Sequence, residues 1–536
     1  MLVFIQPAVA ATWVVNSTGT GDDFPNIQAA ISSSTVLNGD TILLKDGTYT
    51  GTGNRDIDFL GKNIVVRSMN MNPLNCVINC QGTFNAPHRG FFIHQGENAS
   101  AWVQKLKIIN GYTAYASGAG IRIDGNASPV IDGCIIQNCM AEGSDGGGIS
   151  CEGTSAPIIQ NSQILGNGCG GLPAGRGGGI YGASTATPAI NTCTISGNNA
   201  MDQQGYNAGG GGIFVGGGNI DFCIVSNNHA FGPGGGIHAT GIQIADSDVS
   251  SNSTTYGNGG GVYMVGGGLS FSSIRANSGT GGGGLSASGA SVGRCAITGN
   301  VSPGDGGGGV YSVASSFQGC TISGNTALAG GGVQAITTLL NTTIVWGNCA
   351  TMQGNDLYGD ATVTLSCCCV NLAGVTGTVN YSGGQSFVNP IFCAPASCNA
   401  APTTQGNYQL GNTSQCLAAN SPCGTLIGNF GQGCASAGVD DDVASGLDLR
   451  LPGVSAGPME IAWSLPERAP ARITVYDVQG RSVATLVEDA VATSGDHRTE
   501  WSGRSDDGTP LSRGVYFVRL ETTAGALSRN VVLLGH

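Results

Sequence analysis

Apolar residues in this chain alternate with polar or small ones in short runs, and a glycine-rich triplet opens many of those runs. Nine times a small-residue triplet precedes an aliphatic side chain, from Gly118-Ala119-Gly120-Ile121 to Gly330-Gly331-Gly332-Val333. Successive triplets are 28, 31, 33, 24, 25, 23, 25 and 23 residues apart. An asparagine closing a short aliphatic strand keeps phase with them, as in Ile195-Ser196-Gly197-Asn198, Ile297-Thr298-Gly299-Asn300 and Ile322-Ser323-Gly324-Asn325. Its equivalents are Asn110, Asn138, Asn167, Asn228, Asn252, Asn277 and Asn348. Period-two alternation without a helical period predicts strands. A strand-only repeat of this length predicts an all-β solenoid whose coils bury apolar faces only by stacking.

Stacking sets like residues about 4.8 Å apart. Ile121, Ile149, Ile180, Ile213, Ile237, Val262, Leu285, Val310 and Val333 then form an interior ladder. Glycines suit sharp corners with positive φ, and the asparagines suit a ladder of amides. Cys193, Cys223, Cys295 and Cys320 share a position with Ser162, Ser247 and Thr343 in other coils, which predicts a ladder of small side chains with unpaired thiols.

Alternation also assigns an outward column: Arg122, Ser150, Tyr181, Phe214, His238, Tyr263, Ser286, Tyr311 and Gln334. Tyr181, Phe214, His238, Tyr263 and Tyr311 would make a flat stripe suited to the apolar faces of sugars, so they are the candidate glycan-binding residues. Stacked rings also stabilise neighbouring strands without any ligand. Beside this column, Asp124 and Glu152 should face outward on adjacent coils near Arg122. Two close carboxylates could hold Ca²⁺ or raise one another's pKa, which makes Arg122, Asp124 and Glu152 the candidate catalytic set. The plainer reading is an exposed acidic pair balanced by Arg122. No other cofactor or metal is indicated. His88 and His94 flank Arg89 in a stretch of unassigned register and read as solvated surface.

Composition narrows the function classes. Glycine supplies 92 of 536 residues, charged residues only 10%, and the net charge is −13. No basic residue occurs from Ala296 to Leu449, which argues against nucleic acid as a partner. No apolar run is long enough for a membrane-spanning helix. Ala8-Val9-Ala10 satisfies the small-x-small rule for signal-peptide cleavage, so residues 1–10 read as the remnant of a leader. Nineteen cysteines agree with export to an oxidising compartment. Cys367, Cys368, Cys369, Cys393, Cys398, Cys416, Cys423 and Cys434 cluster without a CxxC pair or a histidine, so disulfides rather than zinc are expected, with connectivity open.

The triplets and asparagines resemble the right-handed parallel β-helix of the pectin-lyase-like superfamily, and are similar to repeats of polymorphic outer-membrane adhesins. Phe24-Pro25-Asn26-Ile27-Gln28-Ala29-Ala30-Ile31, Gly39-Asp40-Thr41-Ile42-Leu43-Leu44 and Gly47-Thr48-Tyr49 resemble that superfamily's N-terminal cap and first coil. Asn389-Pro390-Ile391-Phe392, Gly406-Asn407-Tyr408-Gln409-Leu410 and Asn420-Ser421-Pro422-Cys423 resemble a closing coil of secreted bacterial β-helix proteins. Val475-Tyr476-Asp477-Val478-Gln479-Gly480-Arg481, Trp501 and Gly514-Val515-Tyr516 resemble the FlgD-type immunoglobulin-like domain, itself similar to type IX secretion sorting tails.

The implied organisation is a cap with first coils at 11–100, repeats at 101–366 and closing coils at 367–436. A linker at 437–446 and a small Ig-like β-sandwich at 447–536 follow. The resemblance implies an extracellular or bacterial cell-surface protein. Its partners would be extracellular polysaccharide or cell-surface glycans, with secretion or attachment machinery meeting the C-terminal domain. The expected role is non-catalytic glycan binding, adhesion or scaffolding. The alternative is a lyase or glycoside hydrolase acting on acidic polysaccharide. The Asn-Thr-Asp, Gly-His-Gly and Arg-Ile-Lys motifs of polygalacturonase-like hydrolases are absent, and no Asp-Asp pair falls on a coil.

Overall fold

A computed structural model describes residues 10–171, 175–202, 208–304, 306–434, 448–451, 454–455, 458–465, 468–477, 481–493, 495–522 and 525–533. Residues 1–9 of the expected leader and the whole expected linker at 437–446 lie outside the described residues. The chain forms two compact units, divided between Gly433 and Cys434.

The first unit is a right-handed parallel β-helix, the solenoid that the repeat predicts in the form that the resemblance implies. The coil that begins at Ile121 contributes strands Ile121–Ile123, Val130–Asp132, Ile135–Gln137 and Met140–Glu142. Each pairs parallel with its equivalent one coil later: Ile121 with Ile149, Val130 with Ile158, Ile135 with Gln163 and Met140 with Gly168. Among the described residues one face carries 13 strands, from Gly47–Tyr49 to Cys369–Val370. The apolar ladder from Ile121 to Val333 is buried along one continuous core. At the N-terminal end a helix, Ile27–Ser32, buries Ile27, Ala30 and Ile31. The Asn26 side chain caps its start, and the Lys62 Nζ donates to the Ile31, Ser33 and Val36 carbonyls at its end.

Corner chemistry explains the repeat composition. The turn between the second and third strands places one residue in the left-handed region: Gly133, Asn161, Thr192, Phe222, Asp246, Phe271, Arg294, Gly319, Thr342 and Cys367. The next residue is Cys, Ser or Thr, whose side chain donates to the carbonyl two positions earlier. Ser162 reaches Gln160 at 2.7 Å, Thr343 reaches Asn341 at 2.9 Å, and the Cys223 thiol reaches Asp221 at 3.3 Å. A short donor at this position closes the bend locally, which accounts for the serine, threonine and cysteine ladder.

The asparagine ladder runs from Asn167 through Asn198, Asn228, Asn252, Asn277, Asn300 and Asn325 to Asn348. Asn110 and Asn138 are not rungs of it. They occupy the left-handed corner one position earlier, with φ of 56° and 54°, and Cys139 takes the inward place after Asn138. Only the first glycine of a described triplet is left-handed, as at Gly234. The others are needed for close approach: a Cβ on Gly236 would lie 2.7 Å from the Gly261 carbonyl and 2.9 Å from the Asn252 amide.

Disulfides depart from the expected cluster. Cys367 pairs with Cys423, and Cys398 pairs with Cys349, which lies outside that cluster. Cys393 and Cys434 are also disulfide-bonded. Cys368, Cys369 and Cys416 are buried free thiols. Cys368 faces inward on the small-residue ladder, its thiol donating to the Leu340 and Ser366 carbonyls, while Cys369 and Cys416 belong to a second small core with Ile344, Leu410 and Ile427. The segment carrying Cys416 folds back along the solenoid, held by the Thr403 N–H on the Gly299 carbonyl and the Gly428 N–H on the Thr342 carbonyl.

The second unit contains a three-stranded and a five-stranded sheet among the described residues. They share a core that includes Ile461, Trp463, Ile473, Val475, Trp501, Val518 and Val531.

Candidate functional site

The outward column stands in register from coil to coil. Arg122 pairs with Ser150, Ser150 with Tyr181, Tyr181 with Phe214, Phe214 with His238 and His238 with Tyr263. It continues through Ser286, Tyr311 and Gln334 to Tyr358. In the other direction it reaches Phe92 and Asp58. Four rings, Tyr181, Phe214, His238 and Tyr263, stand in unbroken succession with centroids 5.8, 4.3 and 4.8 Å apart. Ser286 separates Tyr311 from them.

The stripe is neither flat nor freely exposed. Interplanar angles rise from 28° to 54° along the four rings, and Tyr181 keeps only 8% of its surface. At His238 the glycine-rich loop of the preceding coil covers the ring. A Cβ on Gly209 would come within 2.9 Å of His238 Nδ1, so the loop backbone packs against the ring. Burial lowers the His238 pKa to about 4, leaving the imidazole neutral at ordinary pH. Arg176 spans the first two rings, 4.9 Å from the Tyr181 centroid and 5.2 Å from that of Phe214. It is held by Asp145 at 2.7 Å and donates to the Tyr181 hydroxyl at 3.1 Å. The column therefore offers tilted, partly buried rings and a fixed guanidinium, a mixed polar and aromatic surface rather than a flat platform.

At the N-terminal end of the column lies a charged cluster. The Arg122 guanidinium bonds Asp124 at 3.0 Å and Glu152 at 3.2 Å, so a cation of the chain itself already bridges the two carboxylates. Sequence alternation placed these three residues together, and the structure brings more to them. Arg122 and Arg89 both stand 5.3 Å from the Phe92 centroid. His94 stacks on Phe92 at 3.8 Å and bonds Asp58 at 3.2 Å. Burial, then the neighbouring Arg122, lowers the Arg89 pKa to about 10. Arg122 Nε, Glu152 Oε1 and Ser150 Oγ are buried without hydrogen-bond partners.

His94, Phe92 and Asp58 were legible in principle. With Phe91 and Ile93 inward, Phe92 and His94 must stand in the columns of Arg122 and Asp124. The signal was hidden because Arg89-Gly90 precedes that strand instead of a glycine triplet. His88 lies nearby, its Nδ1 2.6 Å from Asp56.

Comparison with known families agrees with this architecture. A model described as a right handed beta helix region matches residues 68–241, and one described as an FlgD Ig-like domain matches residues 450–526. The chain carries a β-helix region followed by an FlgD Ig-like domain.

No curated protein matches the chain. Among solved structures, the catalytic unit of a thermostable GH87 α-1,3-glucanase from Streptomyces thermodiastaticus is 14% identical, covering 71% of this chain and 69% of its own, with a TM-score of 0.32. The Agl-KA catalytic domain is 12% identical over 72% of this chain and 69% of its own, with a TM-score of 0.28. The enzymatically active domain of tailspike protein 2 from bacteriophage CBA120 is 10% identical over 74% and 72%, with a TM-score of 0.25. Among the described residues, no helix of the β-helix region or the FlgD Ig-like domain is long and apolar enough to cross a membrane.

Proposed function

We propose that this is a secreted or cell-surface glycan-binding protein that uses the column from Tyr181 to Tyr263 to hold an extended polysaccharide. The observation that carries this reading is the in-register succession of four rings with Arg176 fixed across two of them. Rungs about 4.8 Å apart present repeated weak contacts to a chain molecule, and such contacts add together. Replacing Tyr181 and Tyr263 together by alanine is expected to weaken binding to the best ligand of a glycan panel about tenfold, equivalent to about 1.4 kcal/mol. Equal binding by the double variant, at an unchanged melting temperature, would remove the column from the reading.

A second reading rests on the charged cluster. The partly exposed Arg122, Asp124 and Glu152 side chains beside the His94–Asp58 pair could engage substrate hydroxyls in a lyase or hydrolase acting on acidic polysaccharide. Release of unsaturated or reducing ends from the same panel, abolished in Arg122→Ala, would favour catalysis over binding alone.

The disulfides support an extracellular or cell-surface location, with the FlgD Ig-like domain meeting export or attachment machinery. The exported protein, unfolded without reduction, is expected to titrate 13 thiols, with Cys349, Cys367, Cys393, Cys398, Cys423 and Cys434 protected. Full reactivity of those six would sink the placement. Unchanged localisation after deletion of residues 447–536 would remove the tail from it.

A further inference from the structure

Away from the aromatic column, a cleft of about 620 Å³ opens between the solenoid and the segment that folds back along it. Phe271, Arg294, Gln318 and Thr342 line it on the solenoid side, with Leu426 and Asn429 opposite. The segment is anchored there by the Gly428 N–H on the Thr342 carbonyl at 2.7 Å and the Asn429 N–H on Thr321 Oγ1 at 2.9 Å. Gly293 and Gly319, also in the lining, leave the wall low between Arg294 and the next coil.

Arg294 and Phe271 both stand at left-handed corners, with φ of 52° and 49°. That conformation is disfavoured for L-residues, and the same corner is glycine, asparagine or aspartate in several other coils. Phe271 is 56% exposed, and the Arg294 guanidinium stands 5.6 Å from its ring centroid. Among the described residues, no carboxylate lies within ion-pair distance of Arg294, and the lining contains no acidic side chain. Arg294 is thus an unneutralised cation on a chain of net charge −13, and no further basic residue follows until Arg450.

We propose that this cleft binds an anionic sugar residue. Its carboxylate or sulfate group pairs with Arg294, its ring face lies on Phe271, and its hydroxyls meet the Gln318 and Asn429 amides and the Thr342 hydroxyl. A planar guanidinium matches two oxygens of such an anion at once, and an exposed aromatic ring supplies the platform for a pyranose face. The site is distinct from the aromatic column, so a polysaccharide could be held at both without either depending on the other.

The test is calorimetric titration of the whole protein at low salt with a galacturonic acid trimer, a sulfated galactan trimer and a neutral glucose trimer. The uronate or sulfated trimer is expected to bind and the neutral one not. Whichever anion binds identifies the group that Arg294 takes. Arg294→Gln is expected to weaken that binding about tenfold, equivalent to about 1.4 kcal/mol. Phe271→Ala should weaken it several-fold, and neither change should move the melting temperature, because both side chains are exposed. The Tyr181→Ala, Tyr263→Ala double variant is expected to bind the anionic trimer as before. Unaltered binding by Arg294→Gln, equal binding of the neutral trimer, or no binding of either anionic trimer at about 10 mM would overturn the proposal. Loss of anionic binding in the double variant alone would overturn it too, while leaving the column reading intact.

Discussion

Alanine at Asn277 is expected to lower the stability of the β-helix by about 3–5 kcal/mol, since two buried backbone groups lose their partners and two side-chain bonds go with them. Asn277 Oδ1 accepts from the Asn252 backbone N–H at 2.9 Å and from Asn252 Nδ2 at 3.1 Å. Its Nδ2 donates to the Val249 carbonyl at 2.9 Å and to Asn300 Oδ1 at 3.0 Å. Truncation strands the Asn252 N–H and the Val249 carbonyl in a place where Asn277 has no exposed surface. A water cannot easily follow, because the glycine triplets pack directly on the ladder: a Cβ on Gly261 would lie 2.8 Å from Asn277 Nδ2. The matched control is Asn227→Ala. Asn227 occupies the left-handed corner just outside the ladder, where another coil already carries Ala276 at a φ of 55°, so its loss should cost less than about 1 kcal/mol. A stacked solenoid need not unfold in one step. The comparison is therefore made on melting temperature together with hydrogen exchange of the neighbouring triplets. An Asn277→Ala protein as stable as Asn227→Ala would refute the ladder's energetic role.

The contrast between Asn277 and Asn227 also shows which features a linear pattern can carry. Periodicity gives register, and register alone placed Arg122 beside Ser150 and stacked Tyr181, Phe214, His238 and Tyr263. It does not give depth. Tyr181 is buried with the Arg176 guanidinium over its ring and Phe214 of the next coil stacked on it, and the place of Arg176, in a glycine-rich loop, is not encoded by alternation. Phase is also fragile where a motif degenerates. Asn110 and Asn138 match the strand-closing asparagine in sequence but sit at the corner, one residue before the inward position. The partner of Cys398 was illegible for a different reason. Cys349 lies 49 residues away, on a coil that only the folded-back segment brings near, and eight cysteines alone allow 105 pairings. The Arg294 cleft was hidden in the same way, since one of its walls is that returning segment.

The amide ladder ends on a carboxylate, and this end should make the fold sensitive to pH. Where the next asparagine would stand, Asp356 Oδ1 accepts from the Asn348 backbone N–H and from Asn348 Nδ2, each at 2.9 Å. Asp356 aligns with the third glycine of the triplets and is 1% exposed. Burial raises its pKa from 3.8 to about 6, against the opposing pull of the two Asn348 hydrogen bonds. The unfolded chain releases this proton near pH 4 while the folded chain keeps it until about pH 6. Across that window the folded state binds more protons, so the contribution of this group to stability is full below pH 4. It falls as pH rises through 6, by about 3 kcal/mol for a shift of this size. Asp356→Asn keeps an Oδ1 acceptor for both Asn348 donors and removes the buried charge. It is expected to raise stability at pH 7 by about 2–3 kcal/mol and to flatten the change between pH 4 and 6, measured by denaturant unfolding across that range. A variant that keeps the wild-type slope, or that is less stable at pH 7, would show that the pH dependence has its origin elsewhere. If the slope vanishes, the last rung of the ladder is an acid that the fold prefers protonated, and acidic surroundings tighten the solenoid at the end where the repeats give way to the closing segment.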